Sequence, residues 1–142
     1  MTHAHFLARR KRLLQTIANG VAIIPTAPEM VRNRDAHFPF RFDSYFWYLS
    51  GFPEPEAVLA LIPGRAEGEY VLFCRERSPE RELWDGLRAG QEGALRVYGA
   101  DQAFAIDAID AILPGLLEGR SRVYYAMGVS AEFDRRVIGW LN

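Results

Sequence analysis

The residues able to do chemistry in this 142-residue chain are three histidines, eighteen carboxylates and one cysteine, and their spacing brings no set of them together. A two-metal hydrolase needs histidine and carboxylates converging on ions a few ångströms apart. His3 and His5 fall in an N-terminus expected to fray, and His37 in a loop with no partner nearby. Asp107 and Asp110, three apart on a helix, can share a face, but no histidine joins them at a ligand spacing. They are read as solvated or locally paired. Cys74 ends an apolar run with no local base or positive charge to activate it, so it packs as a small hydrophobe. A single cysteine also excludes an intrachain disulfide and a thiolate metal cluster. Gly-x-Ser-x-Gly, His-Glu-x-x-His and Cys-x-x-Cys are absent. Neither a catalytic set nor a metal site is visible in these residues.

One segment does stand out. Trp84 precedes Gly86, Gly90 and Gly93, whose spacing lacks both Gly-x-Gly-x-x-Gly and a following Lys-Ser or Lys-Thr, so they are not a phosphate cradle. They predict turns, with Trp84 and Arg88 displayed on an irregular segment. Tryptophan favours burial and loops run over surfaces, so a loop tryptophan is a candidate functional residue. The basic run Arg9-Arg10-Lys11-Arg12 is expected mostly on the wet face of a helix, and Arg32-Asn-Arg34 in a solvated loop. A net charge of −1 argues against a nucleic-acid binder. No apolar run approaches the ~20 residues a membrane span needs, and the N-terminus lacks the pattern of a secretion signal. A reducing, cytoplasmic setting is expected.

The elements that must position Trp84 can be read in order. Phe6, Leu13, Leu14 and Ile17 form a helical stripe over 5–18, closed by Asn19-Gly20. Val21 to Ile24 is a strand apolar on both faces. Residues 41–57 hold four consecutive aromatics, Tyr45 to Tyr48, flanked by Phe42 and Phe52. Asp43 or Ser44 can cap a short helix there, Gly51 can end it, and Pro53 and Pro55 prevent its extension. This cluster is read as a core plug rather than a ligand-stacking site. Residues 57–62 and 70–74 predict an antiparallel hairpin. Ser78-Pro79 predicts a short helix to about Leu83 that delivers Trp84 into a loop. Leu95 to Tyr98 reads as a short strand. Asp101 reads as the cap of a helix with Ala105, Ile109, Ile112, Leu113 and Leu116 on one face, kinked or restarted at Pro114. Residues 122–126 predict a strand, and Ser130 caps a last helix bearing Phe133, Val137, Trp140 and Leu141. The class is α/β, a mixed sheet covered by helices. One domain is expected, and the uncapped last helix predicts a chain cut from a longer protein.

Three ordered blocks carry a resemblance. Asp43-Ser-Tyr-Phe-Trp-Tyr-Leu-Ser-Gly-Phe-Pro-Glu-Pro-Glu-Ala57 is preceded by Ala27-Pro-Glu-Met-Val-Arg-Asn-Arg-Asp35 and Pro39-Phe-Arg41, and followed by Trp84-Asp-Gly-Leu-Arg-Ala-Gly-Gln91. Together they resemble the N-terminal domain of bacterial Xaa-Pro aminopeptidases (aminopeptidase P), in the creatinase/prolidase group. The resemblance implies a three-layer sheet of ribonuclease H-like topology over 1–142. It also implies a C-terminal pita-bread metallopeptidase domain outside this chain, whose two aspartates, histidine and two glutamates hold a manganese pair. The substrates implied are peptides with proline at the second position, and the assembly a homo-oligomer, a tetramer in the parent. In that pattern Trp84 reaches the mouth of a neighbouring subunit's active site. The alternative is a peptide- or protein-binding domain from a non-catalytic member of the superfamily, like its histone-chaperone relative.

Overall fold

A computed structural model describes residues 3–26 and 44–142. The blocks 27–35 and 39–41, with Arg32, Arg34, His37 and the Asp43 cap, lie outside the described residues. Five strands, β1 (Val21–Pro25), β2 (Val58–Leu61), β3 (Tyr70–Cys74), β4 (Gln102–Ala105) and β5 (Val123–Tyr124), form one sheet in the order β4-β3-β2-β1-β5. β2 pairs antiparallel with β1 and β3, while β4 is parallel to β3 and β5 is parallel to β1. β2 therefore runs against the other four. The helices are α1 (His3–Ile17) before β1, α2 (Ser44–Ser50), α3 (Pro79–Asp85), α4 (Gly90–Arg96) and α5 (Ile109–Leu117) between strands, and α6 (Ala131–Leu141) after β5, with a 3₁₀ turn at Ile106–Ala108.

Strand side chains alternate between faces, and here both faces are apolar. Ala22, Leu59, Leu61, Leu72 and Cys74 meet α1, α2 and α4 through Ile17, Phe46, Leu49 and Ala94. Ile23, Val58, Ala60, Val71 and Phe73 meet α5 and α6 through Ile109, Leu113, Phe133 and Trp140. This is the expected three-layer α/β arrangement. The aromatic plug is core only in part: Phe46 and Phe52 are fully buried, their rings 6.4 Å apart, and Phe52 meets Tyr98 edge-on at 4.9 Å, whereas Tyr45 and Tyr48, on the outer side of the same short helix, are exposed. Among the described residues no helix is long and apolar enough to cross a membrane.

Several local expectations are corrected. Residues 95–98 are not a strand: α4 runs from Gly90 to Arg96, and its buried Ala94 faces the sheet. Four residues of alternation fit one helical turn as well as a strand, and packing decides between them. Asp101 caps no helix. Its Oδ2 accepts the N–H groups of Glu69 (3.1 Å) and Tyr70 (3.0 Å), and the next four residues extend as β4. The helix begins at Ile109 and continues through Pro114, without the expected restart. Beginning that late, it loses to Pro114 only one of its earliest i→i−4 bonds. The strand predicted over 122–126 is reduced to Val123–Tyr124. α1 ends with Ala18, not Gly20, in the left-handed region (φ 52°). Gly20 is required for space, since a Cβ there would stand 2.6 Å from the Tyr124 ring. Arg10 is also not on the wet face. It is buried, donates to the Leu49 carbonyl at 2.9 Å and stacks over the Tyr70 ring at 4.2 Å. Burial lowers its pKa, with Tyr70 and Asp101 acting against that shift.

The exit of α2 yields a stability test. Gly51 has φ 65°, and a Cβ on it would lie 2.6 Å from the Phe6 ring. The left-handed conformation costs a non-glycine residue roughly 1–2 kcal/mol, and overpacking adds typically about 1–3 kcal/mol. Gly51→Ala should therefore lower stability by about 2–5 kcal/mol, read as a lower urea midpoint at unchanged slope. A midpoint equal to wild type would show that Phe6 yields freely and that this turn does not restrict the residue.

Candidate functional site

The segment from Arg77 to Gln91 is built from the outside in. Ser78 is extended (φ −148°, ψ 99°) and its hydroxyl accepts the Arg81 N–H, while Pro79 occupies the first turn, where its missing donor costs nothing. The helix closes at Gly86 (φ 97°, ψ 165°), a conformation essentially restricted to glycine. Trp84 lies on the last turn of α3, not in the loop beyond it, because the helix runs two residues past Leu83. It is 87% exposed, and Leu83 and Leu87 are 84% and 83% exposed. Three large apolar side chains within five residues face solvent.

What holds them is charged. The Glu82 side chain is only 4% exposed. Its Oε1 accepts the Arg88 N–H (2.9 Å) and the Arg77 Nε–H (2.9 Å), and its Oε2 accepts the Ser78 N–H (2.8 Å) and the Arg77 Nε–H (3.1 Å). The Arg88 amide first, then Arg77 and the Ser78 amide, hold this carboxyl below the usual range against the opposing effect of burial. The next amide is held by another carboxylate: the Ala89 N–H donates to Glu54 Oε2 at 2.6 Å, and Glu54 Oε1 lies 3.4 Å from Arg75. Arg88 itself reaches the Glu76 carbonyl at 3.1 Å. Gly90 has φ 69° and leaves room for Arg77, whose Cγ would stand 2.6 Å from a Cβ at that position. Gln91 Nε2 donates to the Cys74 carbonyl at 3.0 Å, which ties the segment to the end of β3.

The Trp84-Asp-Gly-Leu-Arg-Ala-Gly-Gln91 block thus divides by role. Gly86, Arg88, Gly90 and Gln91 build the loop, and Trp84 is displayed by it. Glu54 and Glu82 were not singled out from the sequence, although signals existed. Glu82 lies four residues after a Ser-Pro helix start, close to capping-box spacing, and Glu54 sits inside Phe52-Pro-Glu-Pro-Glu56.

The remaining chemical candidates do not converge. Asp110 Oδ1 accepts the Trp140 indole N–H at 2.8 Å and lies 3.2 Å from Arg136, so it is locally paired and belongs to packing between α5 and α6. Asp107 lies apart, in the 3₁₀ turn, on a polar cleft of about 420 Å³ shared with Arg75, Arg77, Arg81 and Arg88. Cys74 is fully buried, and burial pushes its thiol up to about 11 although Gln91 donates to it, so it is no thiolate at neutral pH. Among the described residues, no three His, Cys, Asp or Glu side chains are grouped as metal ligands.

Comparison with known proteins gives the chain its relatives. The family model "Aminopeptidase P, N-terminal domain" matches residues 6–125. The Xaa-Pro aminopeptidase of Escherichia coli K12 is 40% identical over 136 residues, covering 94% of this chain and 31% of that protein. Human Xaa-Pro aminopeptidase 3 is 30% identical over 138 residues, covering 88% of this chain and 27% of that protein. The solved structure of Pseudomonas aeruginosa aminopeptidase PepP superposes with a TM-score of 0.95 at 62% identity, covering all of this chain and 32% of the other. That of E. coli aminopeptidase P gives 0.91 at 39% identity. The chain thus spans about a third of the length of the proteins it matches. With the family model covering most of the chain and the fold superposing throughout, the protein belongs to the aminopeptidase P N-terminal domain family.

Proposed function

We propose that this chain is the N-terminal domain of a Xaa-Pro aminopeptidase, and that it shapes the substrate entrance with Trp84 and helps to build the oligomer. The observation carrying this reading is that Trp84 stands 87% exposed on the last turn of α3, a helix fixed at its ends by the carboxylates of Glu82 and Glu54. An indole left in water at the end of so constrained a segment is suited to contact with something outside its own core. The names of the relatives support removal of an N-terminal residue preceding proline as the activity of the whole protein. The catalytic chemistry, including the manganese pair implied by the family resemblance, is assigned to a C-terminal domain outside these residues. Among the described residues no three His, Cys, Asp or Glu side chains are grouped to hold a metal ion. Tyr124, Met127, Val129, Ile138 and Leu141 expose apolar area on and near α6, and that area suits the docking of such a domain. A cytoplasmic setting completes the reading.

Two outcomes are expected. The 142-residue chain, assayed with manganese on a Xaa-Pro peptide, should show no turnover, and chelator-sensitive hydrolysis would overturn the assignment of catalysis elsewhere. Trp84→Ala should change the stability of the chain by no more than about 0.5 kcal/mol, as exposed substitutions do. In the full-length aminopeptidase the same change should lower kcat/KM or alter substrate-length preference by roughly tenfold, the scale of one lost aromatic contact, with the metals still bound. A loss of about 3–5 kcal/mol in the chain, with specificity unchanged in the parent, would return Trp84 to a packing role.

A further inference from the structure

We infer that Glu54 and Glu82 form a two-carboxylate clip that sets the pose of Trp84, each acting as a positioning residue through the backbone. The inference rests on the reading of Trp84 as the displayed functional group.

The starting point is what α3 lacks. A two-turn helix is not stable by itself and normally persists by burying an apolar face. Here Pro79, Glu80, Arg81, Leu83 and Trp84 are exposed, and Glu82 is the one buried side chain among those described in α3. The hydrophobic effect therefore supplies little to dock this helix, and the bonds of Glu82 are left to do so. They close both of its ends, the Ser78 amide at the start and the Arg88 amide beyond the exit. Bonds to an ionised acceptor are roughly twice as strong as neutral ones, and breaking them would strand a buried charge.

Glu54 extends the clip by one residue. It catches the Ala89 amide from the far side of the loop, 35 positions away in sequence, and is anchored beside Arg75. Two successive amides, Arg88 and Ala89, are thus each held by a carboxylate from a different part of the chain. Gly86 and Gly90 flank them with the freest backbones in the segment, so without the clip the loop would have two hinges and only the exposed Arg88 side-chain bond to the Glu76 carbonyl between them.

Glutamine in place of Glu82 is a sharp probe. Both Glu82 oxygens accept N–H groups, so an amide NH₂ on either side would place a donor against a donor, and one end must release. In E82Q the backbone amides of 83–88 should fall from order parameters of about 0.85 to below about 0.6. The Arg88 or Ser78 amide should exchange about tenfold or more faster, while β2 and β3 amides keep their protection. Glu54→Ala, which removes the acceptor altogether, should release the Ala89 amide with a similar rise in its exchange. In the full-length aminopeptidase, E82Q should reproduce the kcat/KM loss of Trp84→Ala, and the double variant should lose no more than Trp84→Ala alone. Unchanged order and exchange in E82Q would overturn the clip. So would loosening of the whole sheet together with the loop, or an E82Q effect that persists in full when Trp84 is already alanine. If Trp84→Ala alone leaves the kinetics unchanged, the functional reading of Trp84 falls, and the order and exchange measurements still decide the clip.

Discussion

Both faces of the sheet are apolar, and the requirement that both be covered sets the rest of the architecture. β2 is buried along its whole length, flanked on each side by an antiparallel partner, so neither of its faces can be left to water. Helices α1, α2 and α4 serve one face, and α5 and α6 serve the other. Burying side chains of this size contributes about 1.5–3 kcal/mol each, which is why the pattern of the strands dominates over weaker local signals. α3 has no part in this covering. With no apolar face of the sheet left to pack on, it must be docked by other means.

Polar docking changes what the helix can display. Had α3 been held by leucines, its apolar residues would face inward and its outer face would be charged. Because Glu82 makes the attachment, Leu83 and Trp84 are free to point outward, with Leu87 following after Gly86. The arrangement also binds two distant parts of the sequence. Glu54 comes from the segment that leads out of the aromatic plug, and it grips Ala89 in the loop that follows Trp84. The plug is anchored in turn by Arg10, buried from α1 and bonded to the Leu49 carbonyl at the end of α2. Two charge-assisted contacts, Arg10 on the Leu49 carbonyl and Glu54 on the Ala89 amide, thus fix the two ends of the backbone stretch 49–54.

The opposite layer uses the same chemistry for a plainer end. Asp110 receives the Trp140 indole and lies beside Arg136, which fastens α6 to α5 where both cover the sheet. Of the two carboxylates three residues apart, Asp110 is locally paired, as its lack of a histidine partner predicts. Asp101 is similar. Its carboxylate serves β3 rather than a helix start, because the residues after it are drawn into parallel pairing with β3.

The sequence by itself determined the α/β class, the β2–β3 hairpin, the short aromatic helix ended at Gly51, the Ser78 and Ser130 caps and the singularity of Trp84. Each of these rests on local period or backbone chemistry: alternation, cap oxygens, glycine turns and proline stops. The tertiary structure decided what local pattern leaves open. It made 90–96 a helix because Ala94 had a sheet to pack on, and 102–105 a strand because β3 had an open edge. It buried Arg10 because a carbonyl and a tyrosine ring waited there. It also revealed Glu54 and Glu82, whose roles depend on amides many residues away or across a turn. No spacing rule reports such partners, because a buried carboxylate is defined by the donors that surround it and those are brought together only when the chain folds.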